Sequence, residues 1–217
     1  MTFFRAPFFL SWIYPELIWR IDNTEKDIYL TFDDGPVPGP TEFVLRELEK
    51  YSAQATFFCI GDNVRKNPGI FTKVVEAGHM IGNHTFNHLS GWKTSSEKYL
   101  DNIRKCQDEF RLGLPETNPD TGSSKYPQLF RPPYGRIKRR QIRQIRNYKI
   151  FMWDVLTHDY AQSLDKDTCL KGSIRATRPG SIVVFHDSLK AEKNMTYVLP
   201  RYMEHFAKQG YTFKSLR

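Results

Sequence analysis

Two adjacent carboxylates, Asp33 and Asp34, follow directly on an apolar segment at 28–32. A glycine and a proline come next, so the segment ends abruptly. Because neighbouring side chains at the end of a strand point in different directions, one carboxylate could coordinate a cation while the other accepts a proton. Taken alone, Asp-Asp-Gly-Pro is also a plain turn sequence, and both interpretations stay open at this point.

A pair of histidines supplies the second chemical signal. His84 and His88 follow another apolar segment, at 80–83, and are four residues apart. Residues at that spacing share one face of a helical turn, so both imidazoles could bind the same ion. With Asp34 they would give two nitrogen ligands and one oxygen ligand, and leave positions open for water. Such a set suits catalytic zinc and also non-haem iron, so the ligands alone do not identify the metal.

Three more segments carry polar residues where apolar runs end. Arg131 is followed by two prolines, which fix the backbone and remove amide donors. Acidic residues follow the run at 149–153, and the run at 181–185 ends in His186. A buried run that ends in histidine holds either a structural or a catalytic side chain. Because parallel α/β folds build active sites at the carboxyl ends of their strands, we interpret His186 as catalytic.

Strand-like and helix-like patterns alternate along most of the chain, which predicts a parallel sheet, either open or closed into a barrel. We predict strands at 27–33, 55–60, 80–83, 149–153, 181–186 and 211–213. We predict helices at 41–51, 70–77, 95–111, 138–146, 165–175 and 198–208. The stretch 113–126 is rich in turn-forming residues and is predicted to be a loop.

The composition is that of one globular domain, with 217 residues, 40% of them hydrophobic and 26% charged. Three cysteines without a CxxC pair argue against a disulfide framework and a cysteine zinc site, so we expect buried thiols. The net charge is +8, and a basic stripe at 136–149 contains seven positive residues and no acid. We interpret the stripe as the solvated face of a helix, and a patch for an acidic glycan, anionic lipid or nucleic acid is the alternative.

Residues 1–20 form an aromatic-rich segment that charged residues and prolines interrupt. A secretory signal requires a longer clean apolar run, and a spanning helix requires about 20 apolar residues, so we recognise neither. We predict an arm or helix at 1–24, packed on a catalytic domain at 25–217. This favours a cytoplasmic or inner-membrane-associated protein without a transmembrane segment. Peripheral membrane contact through 1–20 and the basic stripe at 136–149 is a further hypothesis.

Four motifs resemble, as a set, the polysaccharide deacetylase family, also known as NodB-homology proteins or carbohydrate esterase family 4. They are TFDDGP at 31–36, HTFNH at 84–88, RPPYG at 131–135 and the late His-Asp at 186–187. The resemblance implies an α/β fold, a single-domain distorted (β/α) barrel. It also implies a metal-dependent hydrolase that removes N-acetyl groups from an amino-sugar polymer, oligomer or glycan precursor of the peptidoglycan or chitin type. One divalent metal ion is implied, with zinc expected and cobalt, nickel, manganese and iron left open.

The resemblance also implies roles for the motif residues. Asp33 would act as the general base and His186 as the general acid. Arg131 would steady the base, and Asp159 would orient the acid. The implied metal ligands are Asp34, His84 and His88.

Other implied residues surround the reacting groups. The backbone N–H of Tyr134 would help to hold the oxyanion, and Pro132 would stand beside it at the substrate. Tyr160 replaces a tryptophan that is usual in the family, and Val184 replaces a leucine that often lines the acetyl pocket, so the substrate fit is expected to differ. The loop at 113–126 is long for the family and would cover or extend the sugar cleft.

Other functions are compatible with these residues. The same site could hydrolyse another linear or cyclic C–N bond. The chain could also be a carbohydrate-binding relative without turnover, although the complete set of reacting residues argues against that. A nucleic-acid-binding role would depend on the stripe at 136–149 alone, and we do not expect one.

Overall fold

The structure is a computed structural model that describes residues 2–22, 25–114 and 128–217. Its strands are β1 (Asp27–Asp33), β2 (Thr56–Cys59), β3 (Met80–Asn83), β4 (Leu129–Phe130), β5 (Lys149–Ile150), β6 (Val155–Leu156), β7 (Ile182–His186) and β8 (Thr212–Lys214). Its helices are α1 (Leu10–Ile13), α2 (Pro40–Glu49), α3 (Gly61–Lys66), α4 (Pro68–Glu76), α5 (Ser96–Gly113), α6 (Arg139–Gln144), α7 (Lys166–Ala176) and α8 (Glu192–Ala207). Short 3-10 turns lie at Gly91–Lys93 and Pro133–Gly135.

The strands form one sheet in the order β5-β4-β3-β2-β1-β7-β6, and β8 pairs with the first residues of β1. Every pairing between these strands is parallel. The sheet curls into a half-barrel. Helices surround it because parallel neighbouring strands require crossover connections. The predicted parallel sheet and distorted (β/α) barrel are confirmed.

Alternation along the central strands separates the helix-facing core from the inside of the barrel. In β1 and β7, Phe32 and Phe185 pack in the large core under the helices, with their ring centroids 6.0 Å apart. The residues one position further along, Asp33 and His186, therefore point to the opposite face, inside the barrel. They are also partners in the β1–β7 register. The alternation of side chains along β1 and β7 therefore places a carboxylate and an imidazole side by side inside the barrel.

The N-terminal arm, residues 2–22, lies along both free edges of the sheet. The N–H of Ala6 donates to Asp154 O next to β6, at 2.9 Å. Ile18 lies beside β5, where its N–H donates to Ile150 O at 2.9 Å and its carbonyl accepts from Met152 N at 2.7 Å. These bonds satisfy backbone groups that an open edge would leave unpaired.

The arm also contributes to the core. Leu17 is buried in a cluster with residues of α5 and α6. The predicted packing of an arm on the domain agrees with these contacts, while the division of the chain at residue 24 stays a prediction. Within the described ranges, no helix combines the length and the apolar character that crossing a bilayer demands.

Several predicted elements have different bounds in the structure. The strand predicted at 149–153 ends at Ile150, because the chain turns before β6 and pairs with the arm there. The helix predicted from 198 begins at Glu192, and Pro200 lies inside it rather than in its first turn. The short elements α3, β4 and β6 were not predicted. Of the loop predicted at 113–126, Gly113 ends α5, and 115–126 lie outside the described residues.

The structure confirms the expectation of buried thiols and shows where the basic stripe lies. All three cysteines, Cys59, Cys106 and Cys169, are buried and free. The basic stripe includes α6, and its apolar side is buried through Ile137, Ile142 and Ile145. Arg140 and Arg143, by contrast, are exposed.

Candidate active site

The candidate site lies at the carboxyl ends of β1, β3 and β7, where the barrel opens. Asp33 ends β1, and the next residue, Asp34, takes a left-handed backbone conformation with φ of 82°. That turn sends the two carboxylates in different directions, as a split between base and ligand requires. The amide of Asn63 donates to the carbonyl of Asp34 at 2.7 Å and holds the turn in place.

Asp34, His84 and His88 converge on one point. Asp34 Oδ1 is 3.3 Å from His88 Nε2 and 3.8 Å from His84 Nε2. One ligand atom from each of the three residues lies within 4.8 Å of the others. This is the carboxylate and two imidazoles that the sequence predicts as a metal-binding set.

The chemistry of these donor atoms fits a divalent cation. Asp34 Oδ1 is buried and has no hydrogen-bond partner among the described protein atoms, so its lone pairs are available to a cation. His84 Nδ1–H donates to the carbonyl of Arg131 at 2.8 Å, which leaves the Nε2 lone pair available. Burial, followed by the neighbouring His84, lowers the pKa of His88 to about 4, so that imidazole is neutral at pH 7. Neutral imidazole is the form that binds metals.

The helical turn predicted for the two histidines is wrong. Residues 84–90 form a loop, in which Thr85 and His88 have left-handed φ values of 63° and 55°. For a β-branched residue such a value is strained, and hydrogen bonds stabilise it. The N–H of Thr85 donates to Asn83 Oδ1 at 2.9 Å, and its hydroxyl accepts from Leu89 N at 3.1 Å. The rings still meet, with centroids 5.0 Å apart.

Asp33 is held by an arginine that is completely buried. Arg131 Nη1 donates to Asp33 Oδ1 and to Thr31 Oγ1, each at 2.7 Å, and Nη2 donates to the carbonyl of Met152 at 2.8 Å. Its guanidinium lies 4.1 Å from the ring centroid of Phe58. Burial raises the pKa of Asp33, but the charges of Arg131 and nearby histidines outweigh that effect and lower it overall. Asp33 is therefore ionised, as a proton acceptor must be.

His186 is held by Asp159. Its Nδ1–H donates to Asp159 Oδ1 at 2.7 Å, and its backbone N–H donates to Oδ2 of the same carboxylate at 2.7 Å. Burial lowers the pKa of His186, but the charge and hydrogen bond of Asp159 outweigh it and raise the pKa to about 9. His186 is therefore protonated at pH 7, with Nε2 left to carry the second proton.

A cleft of 470 Å³ surrounds these groups, a volume typical of small-molecule sites. Its lining includes the predicted residues Asp33, Asp34, His84, His88, Pro132, Tyr134, Tyr160, Val184 and His186. Arg131 and Asp159 are buried behind it. The structure thus brings every predicted site residue together, while their individual roles stay predictions. Sequence reasoning did not identify four further lining residues, Arg136, Trp153, Leu156 and Lys190.

Residues that support the site were also missed. Asp187 Oδ1 accepts from the N–H of Gly35 at 3.0 Å, and its Oδ2 accepts from Thr41 Oγ1 at 2.6 Å. A Cβ on Gly35 would lie 1.9 Å from Asp187 Oδ2, so the glycine is required for this close approach. Asn102 Oδ1 accepts from the backbone N–H groups of Phe86 and Asn87, both at 2.9 Å. Asp187 was visible within the His-Asp motif, but nothing in the sequence links Asn102 to the histidine loop.

Comparison with known proteins identifies the family. The sequence profile described as "Polysaccharide deacetylase" matches residues 20–153, more than half of the chain. The chain belongs to the polysaccharide deacetylase family. A relative from Bacillus cereus, peptidoglycan-N-acetylglucosamine deacetylase, is 34% identical over 199 residues, which cover 90% of this chain and 88% of the relative. Peptidoglycan-N-acetylmuramic acid deacetylase PdaA from Bacillus subtilis is 32% identical over 201 residues, covering 90% of this chain and 72% of PdaA.

Solved structures agree with this assignment. The Bc1960 peptidoglycan N-acetylglucosamine deacetylase, in complex with 4-naphthalen-1-yl-N-oxidanyl-benzamide, superposes with a TM-score of 0.84 at 27% identity, covering 97% of this chain and 95% of that one. The structure of B. subtilis PdaA, a family 4 carbohydrate esterase, gives a TM-score of 0.82 at 25% identity, covering 99% of this chain and 93% of that one. The predicted family, fold and enzyme class, a metal-dependent hydrolase of N-acetyl groups, are confirmed.

Proposed function

We propose that this chain removes the N-acetyl group from N-acetylglucosamine residues of peptidoglycan. The observation that carries the proposal is that Asp33, held by Arg131, and His186, held by Asp159, line the same cleft as the ligand set Asp34, His84 and His88. Asp33 has a lowered pKa, and His186 has a pKa raised to about 9. When their environments move the pKa values of two titratable groups in opposite directions, one group is suited to act as a base and the other as an acid.

In this proposal each step is carried by a named group. A divalent cation bound by Asp34, His84 and His88 would polarise the amide carbonyl and lower the pKa of a bound water. Asp33 accepts the proton of the attacking water, because Arg131 keeps its carboxylate ionised and fixed. His186 donates its Nε2 proton to the departing nitrogen, which leaves poorly as an anion. Acetate and a free amino sugar result.

We also propose roles for the residues that line the cleft and for the metal. The Tyr134 backbone N–H would stabilise the negative oxygen of the tetrahedral intermediate. The rings of Trp153 and Tyr160 line the cleft beside Pro132 and Val184, where apolar surface suits the acetyl methyl and the face of a sugar ring. Zinc is the metal we propose, since two imidazoles and one carboxylate with an open position suit it.

The substrate is proposed from the relatives' names. The B. cereus relative is named for N-acetylglucosamine and PdaA for N-acetylmuramic acid, both in peptidoglycan. We favour N-acetylglucosamine because the identity to the first relative is higher and extends over 88% of its length.

The decisive experiment measures acetate release by metal-stripped protein, alone and after addition of Zn²⁺, Co²⁺, Ni²⁺, Mn²⁺ or Fe²⁺. Substrates are N-acetylglucosamine oligomers, peptidoglycan fragments, and fragments in which only N-acetylmuramic acid carries an acetyl group. We expect metal-dependent release from the first two. Asp33→Asn should lower kcat by at least about 100-fold, the usual contribution of a positioned base.

Asp101→Asn, an exposed carboxylate on α5, is the matched control and should retain activity. Release from the muramic acid substrate alone would overturn the choice of sugar and keep the reaction. No release from any glycan, despite stoichiometric metal binding, would overturn the proposal in favour of another amide or a binding role.

A further inference from the structure

The N-terminal arm carries an aromatic patch, defined as Phe8, Phe9, Trp12 and Ile13. Phe8 is 72% exposed and Trp12 is 77% exposed, and their ring centroids lie 5.4 Å apart in an edge-to-face arrangement. Phe9 and Ile13 are each 45% exposed. Single exposed hydrophobic residues are ordinary, but a contiguous group on one helical turn indicates an interaction surface.

Arg139, the first residue of α6, adjoins the aromatic patch. Arg139 Nη2 donates to the carbonyl of Ile13 at 3.1 Å, and its guanidinium lies 5.5 Å from the ring centroid of Tyr14. Arg139 and Arg143 are four residues apart in α6, so they share a face of that helix. Within the described part of the chain, Arg140 and Arg143 have no acidic partner within salt-bridge distance. Their charges are therefore directed to solvent.

We propose that the aromatic patch and the exposed arginines of α6 together form a docking surface for a lipid bilayer that contains anionic phospholipid. Aromatic side chains are favoured at the level of the headgroups, where Trp12 can keep its indole N–H hydrated while its ring is buried. Arginines near an anionic surface add electrostatic attraction. The segment 136–149 contains no acidic residue that would be repelled by an anionic surface, and the segment 2–20 contains one, Glu16.

The arm connects this docking surface to the cleft. A cavity of 230 Å³ is lined by Phe3 and Leu10 of the arm and by Tyr134 and Trp153, which also line the catalytic cleft. A bilayer in contact with the aromatic patch would hold the cleft beside the membrane and favour glycans close to it. The preference for nearby glycans rests on the proposed function, whereas binding to the bilayer does not.

The test is co-sedimentation of the full chain with vesicles of phosphatidylcholine, with or without about 30 mol% phosphatidylglycerol. We expect binding to the anionic vesicles at low salt that weakens at high salt, because exposed charges are screened. Phe8→Ser combined with Trp12→Ser should weaken binding by about tenfold or more. Arg140→Gln combined with Arg143→Gln should reduce the preference for anionic over neutral vesicles by a similar factor.

Control variants remove exposed hydrophobic or charged side chains elsewhere. Leu112→Ser removes another exposed hydrophobic residue, which is 83% exposed, and Lys171→Gln with Arg175→Gln removes two exposed charges of α7. Near-UV circular dichroism checks that each variant is folded. Absence of vesicle binding by the unaltered chain, or equal losses in test and control variants, would overturn the proposal. So would self-association without lipid that the Phe8 and Trp12 changes abolish, because the patch would then contact a second copy.

Discussion

The Asp159–His186 pair controls the proton that the proposed acid donates. In the proposed mechanism activity requires protonated His186, so it should fall as pH rises through the pKa of that residue, which is raised to about 9. Asp159→Asn removes the negative charge that raises this pKa. We expect the alkaline limb of kcat/KM to move to lower pH, by about one to three units.

A pH–rate profile of each enzyme measures this shift. Asp165→Asn, which alters an exposed helix cap of α7, is the control and should leave the limb in place. An alkaline limb that is unchanged in Asp159→Asn would mean that His186 is not the group that titrates.

Arg131 stabilises the fold in addition to its proposed role in catalysis. It is fully buried, and lysine cannot reproduce its fork of donors to Asp33, Thr31 and Met152. We expect Arg131→Lys to lower the free energy of unfolding by about 3 kcal/mol, because it leaves buried partners unsatisfied. Urea unfolding of metal-stripped protein measures this change.

Arg178→Lys is the comparison for this prediction. Arg178 also contacts a carboxylate through two nitrogens, that of Asp154, but its side chain is 44% exposed. Solvent can replace its lost contacts, so a cost of about 1 kcal/mol or less is expected. Equal costs for the two variants would contradict the account of Arg131.

Much of the site could be predicted at the scale of single residues, because motif spacing reflects strand ends. Asp34, His84 and His88 were predicted as one ligand set and do converge. Their backbone was not predictable: the left-handed conformation of Asp34, for example, is held by a hydrogen bond from Asn63, 29 residues away, which local preference does not encode. Nor does spacing reveal distant supports such as Asn102.

At the scale of elements, the arm should behave as part of the folded unit. Leu17 is 6% exposed and packs in the cluster that also contains Tyr99 and Ile145. We expect Leu17→Ala to lower the free energy of unfolding by about 2–4 kcal/mol, from lost burial and the cavity left behind. Leu189→Ala, at a residue that is 67% exposed, should change it by less than about 0.5 kcal/mol. Similar values for both in urea unfolding would mean that the arm is not part of the cooperative unit.

Strands with a clear apolar run were predictable, and strands of two residues were not. β1 and β3 have the predicted bounds, since their apolar runs are clear and end at turn formers. β4 and β6 have two residues each, too few to show a period, and exist because neighbouring strands and the arm pair with them. α8 extends six residues before its predicted start, because burial of Met195 and Val198 continues its apolar face across Pro200.

For the molecule as a whole, metal binding should raise stability. The site requires the folded arrangement of β1 and the histidine loop, so a cation binds the native state in preference to the unfolded chain. A concentration about 100 times Kd should add about 2.7 kcal/mol, which raises Tm by several degrees. Asp34→Asn should abolish most of this gain, whereas Asp101→Asn should keep it. Calorimetry of stripped and metal-loaded protein tests this, and an undiminished gain in Asp34→Asn would place the metal elsewhere.

The position of the arm has a consequence for synthesis. Arg5 Nε donates to the carbonyl of Ala176 at 2.9 Å, across 171 positions of sequence. On the ribosome, residues 2–22 are therefore made long before β6 and the end of α7 exist to receive them. The half-barrel must wait for most of the chain before both of its edges can be paired, so its closure is among the last events of translation and waits on non-local contacts that form slowly. Chains interrupted before residue 176 would lack the partner of Arg5 and also β7, which pairs with β6. The first residues of the arm would then be undocked, and we expect chaperones to bind there.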